Sequence, residues 1–273
     1  HDWLTQLGNI PTLYVPDRIE EGYGPNIVAM ETLANVHDLI ICVDCGTLSH
    51  ETINKITNTD IIILDHHLGG ETLPNAYAVV NPNRQDEKGD LYYLCAAGVV
   101  FLTLVAANSI RRNNNKSTPD LLNMLDLVAL GTVADVAPLV GFNRALVRQG
   151  LKVMAKRERI GITALSDIAK MNNAPSPYHL GYLLGPRINA GGRVGKADLG
   201  IRLLTCKNFD EANSIADKLN QLNDERRSIE ATVQIQALEQ VEKMDSNSAL
   251  AWAAGEGWHP GVVGIVASRI KEI

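Results

Sequence analysis

The sequence predicts an α/β fold: a doubly wound, mainly parallel sheet joined by a long helix to a smaller α/β unit, with both units incomplete. Three observations carry this expectation. Short apolar runs alternate with helix-period segments in β-α-β-α-β order through the first third of the chain. Those runs are continuous rather than alternating, as in strands covered on both faces. From Asp210 to Met244, apolar residues (Ile215, Leu219, Leu222, Ile229, Val233, Ala237, Val241) recur at helical steps, over a length that suits a connector.

In order, Thr12–Val15 reads as a short strand before a Pro/Gly loop, and 27–36 as a helix. Leu39–Val43 reads as a strand ending at Asp44, 50–57 as a helix, 61–64 as a strand ending at Asp65, and 78–80 as one more strand. The apolar stretch Leu94–Ala107 is a core helix, too short for a bilayer span, which takes about 20 residues. Arg111–Lys116 reads as a polar loop. Thr118-Pro119 supplies a cap and first position for a helix to about Leu130. Another helix covers 143–156. After the polar break Asp245–Ser248, 249–254 reads as a strand, 255–264 as a Gly-rich turn and 262–273 as a helix. The expected divisions are 1–209, the helix 210–245, and 246–273.

The 273 residues carry 25 Lys+Arg against 31 Asp+Glu, a net charge of −6, with 45% apolar residues; this excludes a disordered tail, a fibre and a disulfide mini-protein. Four cysteines in a chain of this length suit a reducing compartment. Cys42 and Cys45 have metal-type spacing but no second pair, so they read as small buried residues. The chain opens His1-Asp2 without Met or a signal segment and closes inside a helix, and is expected to be an internal piece of a longer cytoplasmic protein with no membrane partner.

Chemistry concentrates in three clusters. Asp65-His66-His67 directly follows a strand, and Asp44 ends its neighbour. Parallel sheets gather functional groups beyond the carboxyl ends of their strands, and carboxylate with imidazole suits Mn, Fe or Zn, whereas an all-oxygen site would suit Mg or Ca. Asp135, set among Val133, Ala134, Val136 and Ala137, needs a cation or a cap there. The second cluster is Gly185–Arg193, where Arg187, Asn189, Arg193 and paired glycines form either a phosphate-binding turn or a structural one. The third runs from Gly257 to Arg269: His259, Gly261, Gly264, Ser268 and Arg269 lie on a Gly-rich entry into a helix, where free N–H groups suit an anion. Arg144, Arg148, Lys152 and Lys156, with Arg157 and Arg159, form a basic stripe that is either a solvated face or a track for a nucleic-acid backbone. No convincing covalent nucleophile is present.

Together these segments resemble the DHH phosphoesterase superfamily and, within it, the RecJ-type single-strand DNA exonucleases. The resemblance rests on Pro16-Asp17-Arg18 with Glu21-Gly22-Tyr23-Gly24, Val43–Gly46, Asp65-His66-His67, Gly131–Leu139, Gly185–Arg193 and Gly257–Arg269. It implies a DHH domain over 1–209, a connecting helix, and the start of a DHH-associated domain over 246–273. It also implies two divalent ions, Mn2+ or Mg2+, with Asp44 shared and His66 and Asp135 binding one of them. Asp65 would support the site and His67 would face the scissile phosphate or attacking water, so these two are the catalytic candidates. Arg187, Asn189, Arg193, His259, Gly261, Gly264, Ser268 and Arg269 would bind substrate, with single-stranded DNA and other repair proteins as partners. The implied activity is 5′→3′ exonuclease action in DNA repair and recombination. The alternatives are a DHH enzyme acting on small nucleotides or pyrophosphate, and an inactive DHH scaffold. The family's first Asp-x-Asp-type motif is absent from these residues, so this piece alone is expected to be metal-deficient and inactive.

Overall fold

Three apolar runs pair in parallel to form the sheet. The structure, a computed structural model, describes residues 1–244 and 250–272. A short helix α1 (Asp2–Gln6) precedes α2 (Ile27–Ala34), whose first turn is capped by Asn26 accepting from the Ala29 N–H at 2.9 Å. Then follow β1 (Leu39–Val43), α3 (His50–Ile53), β2 (Asp60–Leu64) and β3 (Ala78–Val80). The order is β1-β2-β3, with Leu39 opposite Asp60, Val43 opposite Leu64, and Leu64 opposite Val80. All strands therefore end on one side, which places the residues after Val43, Leu64 and Val80 next to one another.

Helices cover both faces of the sheet. Met30, Ala34 and Ile53 pack against Cys42, Ile61 and Ile63 on one face. On the other, Leu64 meets Leu94 and Val99 at the start of α4 (Ala96–Asn113). The expectation of strands buried on both sides holds for β2, whose Ile61, Ile63 and Leu64 are buried. It does not hold for β1, where Leu39, Ile41 and Val43 remain exposed.

The helical layer begins at α5 (Leu125–Ala134) and continues through α6 (Gly141–Met154) and α7 (Ile160–Ile168). A π-helical segment, His179–Leu184, runs directly into α8 (Gly185–Val194), followed by α9 (Leu199–Thr205), α10 (Phe209–Val241) and α11 (Pro260–Ile270). α5 and α6 approach at Gly150, where a Cβ would lie 2.1 Å from the Leu125 carbonyl oxygen. This contact seats the helix that carries Asp135. The first half of α10 lies in the main core through Ala212, Ile215, Ala216, Leu219 and Leu222. Its second half packs Val233 and Ala237 on Val262 and Val266 of α11. The predicted connector is thus a core element along much of its length.

Several expectations change. Thr12–Val15 forms no strand, and Leu13, Tyr14 and Val15 are exposed. The helix read over 50–57 stops at Ile53. Arg111–Asn113 continue α4 rather than forming a loop. Pro119 does not start a helix: Asp120 accepts from the Leu122 N–H at 2.9 Å, a 3-10 turn follows at Leu122–Met124, and α5 begins only at Leu125. Gly185–Arg193 is helical, so it is neither kind of turn. The break at Asp245–Ser248, Ala249 of the expected strand, and Ile273 lie outside the described residues, and 250–254 forms no strand. Among the described residues no helix is long and apolar enough to cross a membrane.

Candidate metal centre and cationic cavity

The carboxyl edge of the sheet is organised around Asp65. Its side chain is buried, and both oxygens are occupied. Oδ2 accepts from the Thr47 N–H at 3.1 Å, and Oδ1 accepts from the backbone N–H of His66 at 2.8 Å and of His67 at 3.3 Å. Oδ1 also lies 2.7 Å from His67 Nδ1. Burial pushes this carboxyl up, but hydrogen bonds from Thr47, His67 and His66 outweigh it and bring its pKa to about 2. An ionised carboxylate can only accept, so His67 Nδ1 carries a proton, and Nε2 is the ring nitrogen left open. The loop is further pinned by Asn81, which donates to the His67 carbonyl (2.8 Å) and Thr47 Oγ1 (2.9 Å), and by Asn83, which donates to the His66 carbonyl (2.6 Å).

Asp44 follows β1 in the left-handed region (φ 63°), its N–H bonded to the Leu64 carbonyl at 3.0 Å, and Gly46 (φ 111°) completes the reversal. This turn leaves the Asp44 carboxylate exposed beside His66. His66 Nε2 stands 3.1 Å from Asp44 Oδ1 and 3.5 Å from Asp135 Oδ2. Ligand atoms of Asp44, His66 and His67 lie within 4.8 Å of one another. The hydrogen bond to Asp44 and the nearby Asp135 carboxylate push the His66 imidazole up, against its partial burial. Burial and the Asp44 carboxylate push Asp135 up, against the pull of His66 and His67.

Asp135 is the residue that ends α5. Beyond it, Val136 takes φ 56°, its N–H bonding the Val133 carbonyl (3.1 Å) while the Ala137 N–H bonds the Thr132 carbonyl (3.1 Å). This is a Schellman stop with a β-branched residue where glycine is usual. Two carboxylates thus converge on one imidazole nitrogen, and neither has a Lys or Arg partner among the described residues. That oxygen-rich donor set with one nitrogen fits a divalent cation such as Mn2+ or Mg2+.

A cavity of about 140 Å³ adjoins this edge at Ala134, with Gly181, Gly185, Asn189, Arg193, Arg226 and Ile265 also in its wall. Burial, with Arg18 and Arg226 close by, lowers the pKa of the Arg193 guanidinium. Burial, Arg227 and Arg269 act likewise on Arg226, against Glu230. Two partly buried guanidiniums in one hollow, although Arg226 also pairs with Glu230, are suited to hold an anion. Arg18 itself rests on the Tyr23 ring, 4.5 Å from its centroid.

The predicted binding residues divide. Asn189 and Arg193, one turn apart on α8, line the cavity; Arg193 also donates to the Gly261 carbonyl at 3.1 Å. Arg187 faces away, donating to Asn220 (2.9 Å) and the Leu183 carbonyl (2.8 Å). His259 caps α11, its Nδ1 accepting from the Gly261 N–H at 3.0 Å, while Gly264 and Ser268 are exposed one turn apart. Arg269 is paired with Glu230 and donates to Gln234 at 3.0 Å. The basic stripe also splits. Arg144, Arg148, Lys152 and Lys156 are exposed, Arg157 pairs with Asp167 at 2.6 Å, and Arg159 pairs with Asp126 at 2.7 Å and with Asp2 at 3.1 Å. Sequence reading missed Arg226, Asn81, Asn83 and Thr47. The available signals were Asn81-Pro82-Asn83 at a third strand end, and the Arg226/Glu230 pair four residues apart on α10 (2.8 Å).

Residues 2–132 match the DHH family, N-terminal domain. The chain is 42% identical over 277 residues to the single-stranded-DNA-specific exonuclease RecJ of Salmonella typhimurium, covering 94% of this chain and 47% of that protein. It is 33% identical over 274 residues to the Thermus thermophilus RecJ, covering 98% and 39%. The chain therefore spans about half the length of the Salmonella relative. A crystal structure of exonuclease RecJ bound to manganese superposes with a TM-score of 0.86 at 32% identity, covering 99% of this chain and 68% of that one. A crystal structure of the Thermus thermophilus RecJ in complex with Mn2+ gives 0.77 at 32% identity, covering 90% and 36%. With this coverage at this identity, the chain belongs to the RecJ family of the DHH superfamily.

Proposed function

We propose that the protein hydrolyses phosphodiester bonds of single-stranded DNA with divalent metal ions. The observation that carries this reading is the convergence of Asp44 and Asp135 on His66 Nε2, beside a cavity lined by Arg193 and Arg226. Asp44, His66 and Asp135 would hold one cation. Asp44 Oδ2 has no hydrogen-bond partner among the described residues and could be shared with a second. Bound Mn2+ or Mg2+ supplies Lewis-acid polarisation and an acidified water. Asp65 acts as a positioning residue, fixing the tautomer and aim of His67. His67 Nε2 is thereby presented toward solvent, where it can take up or return a proton at the reacting phosphate. Asn189, Arg193 and Arg226 would hold phosphate oxygens of the strand.

Digestion from the 5′ end, a setting in DNA repair and recombination with other repair proteins, and a cytoplasmic location follow from the family resemblance and are proposed on that footing. So is the division of the chain within α10. Cutting of 5′- and 3′-labelled single-stranded DNA, duplex DNA and dinucleotides by the full-length protein in Mn2+ tests the reading. Loss of label from single strands is expected, with Asp44→Ala reducing the rate on the order of 10³-fold. Cutting of dinucleotides alone would replace it with the small-nucleotide reading, and no cutting or Mn2+ binding with the scaffold.

A further inference from the structure

A pair of tyrosines at the start of the π-helical segment has no role in the metal centre or the cavity. Tyr178 and Tyr182 stack on one another with ring centroids 5.0 Å apart and planes 26° from parallel. They are 60% and 71% exposed, as other surface tyrosines of the chain are, but these two are held against one another as a stacked pair. Among the described residues, neither hydroxyl has a hydrogen-bond partner, whereas Tyr14 bonds Glu21 and Tyr93 accepts from the Phe142 N–H at 3.1 Å. The stack is braced from below. The His179 ring meets Tyr178 edge-on at 5.9 Å, and His179 Nδ1 is fixed by the Ser176 N–H at 3.1 Å and the Ser176 hydroxyl at 3.0 Å.

The position of this stack points to its occupant. π-helical turns are rare and concentrate at functional sites. Tyr178 immediately precedes this segment and Tyr182 lies within it, four residues on and therefore on the same face. Gly181, between them in sequence, faces Val133 of α5, and Gly185 faces Ala134; both glycines line the cationic cavity. The two tyrosines therefore flank, in sequence, a residue of the cavity wall, which adjoins the end of α5. The stretch of sequence that carries the stack, between Asp167 and Asp198, is also one-sided in charge. Residues 168–197 contain Lys170, Arg187, Arg193 and Lys196 and no Asp or Glu, in a chain whose net charge is −6. A flat aromatic face beside a cation-lined hollow matches a nucleotide, with the phosphate in the hollow and the base on the ring.

We propose that Tyr178 and Tyr182 form a base-stacking platform for the single strand entering the site. This inference rests on the reading of the protein as a nuclease for single-stranded DNA, and names the surface that holds the bases. Stacking accepts any base, so the platform would grip the strand without sequence preference.

The test is binding of a fluorescent, phosphorothioate-linked oligothymidylate by the full-length protein in Mn2+, together with cutting of the ordinary oligonucleotide. Alanine at both positions is expected to weaken binding roughly 5- to 100-fold, while Phe at both keeps it within about twofold. Scanning one abasic position along the oligonucleotide should reveal a site that costs the unaltered protein a similar factor and the alanine variant nothing further. Melting temperatures of the variants should match the parent, since both rings are exposed. If the unaltered protein binds and cuts single strands but the alanine variant binds equally well, the platform is overturned and the nuclease reading stands. If the unaltered protein neither binds nor cuts them, both fall together.

Discussion

At the sheet edge, the ligating groups come from the ends of adjacent strands and from one helix end, and they bring carboxylates together. In the neighbouring cavity, the polar groups come from two helices far apart in sequence, and they bring guanidiniums together. The first arrangement is held by short-range backbone bonds: Asp65 fixes three N–H groups and an imidazole, and Asn81 and Asn83 tie the same loop. The second is held by packing of α8 and α11 on α10, with Glu230 buried between Arg226 and Arg269. The geometry of the proposed metal centre is thus preset by local bonding, whereas the proposed grip on an anion would depend on cations whose repulsion the anion itself relieves.

The largest effect on this contrast is expected from Asp65→Asn. An amide places an N–H where an oxygen now accepts, leaving a buried donor unpaired at a cost of about 2 kcal/mol in stability. It also frees the tautomer of His67. Mn2+ affinity or cutting rate should fall roughly 10- to 100-fold, the usual consequence of losing a group that orients a ligand. Calorimetric Mn2+ titration and a thermal melt separate the two effects. Unchanged Mn2+ affinity would show that Asn81 and Asn83 alone hold the loop.

A smaller and different effect is expected in the cavity. Arg226→Met removes one cation, so binding of a single strand should weaken about tenfold at moderate salt. The slope of log affinity against log salt should also become shallower by about 0.7 to 1. Arg226→Lys should restore the slope while recovering only part of the affinity, because the planar fork is lost. Salt titrations by fluorescence anisotropy read both quantities. An unchanged slope in Arg226→Met would remove this residue from the phosphate path and leave it as the partner of Glu230.

The same contrast explains what could be read in the sequence. β1, β2 and β3 were legible because short continuous apolar runs between turn signals leave few alternatives. Asp44, Asp65, His66 and His67 were legible because strand ends lie next to them in the chain. The α8 segment was misread because Gly and Pro argue against a helix. Its formation depends on tertiary contacts, such as Gly191 close to Leu219 of α10 and Gly185 close to Ala134 of α5. Thr12–Val15 shows the reverse error: β-branched and aromatic residues give strand propensity, but no neighbouring strand pairs with them. Arg226 was hidden in an ordinary charged helix face, since only the folded chain brings it beside Asn189 and Arg193.

The smallest effect is expected at Val136, where the helical layer delivers Asp135 to the sheet edge. A β-branched residue in the left-handed region costs roughly 1–2 kcal/mol, and glycine there removes that strain. Part of the gain is returned, because glycine adds about 0.5–1 kcal/mol of backbone freedom to the unfolded chain. Val136→Gly should therefore stabilise the protein by about 1 kcal/mol or less, a rise in melting temperature of about 1–4 °C. Among the described residues the Asp135 carboxylate has no partner to aim it other than the His66 imidazole at 3.5 Å, so a looser turn should let it swing, and Mn2+ affinity is expected to fall about two- to threefold. A more stable variant with weaker Mn2+ binding would show that the strained turn serves the carboxylate. A more stable variant with unchanged binding would show that the Val136 and Ala137 N–H bonds already hold Asp135 in place, so that the helical side of the centre is as firmly preset as the strand side.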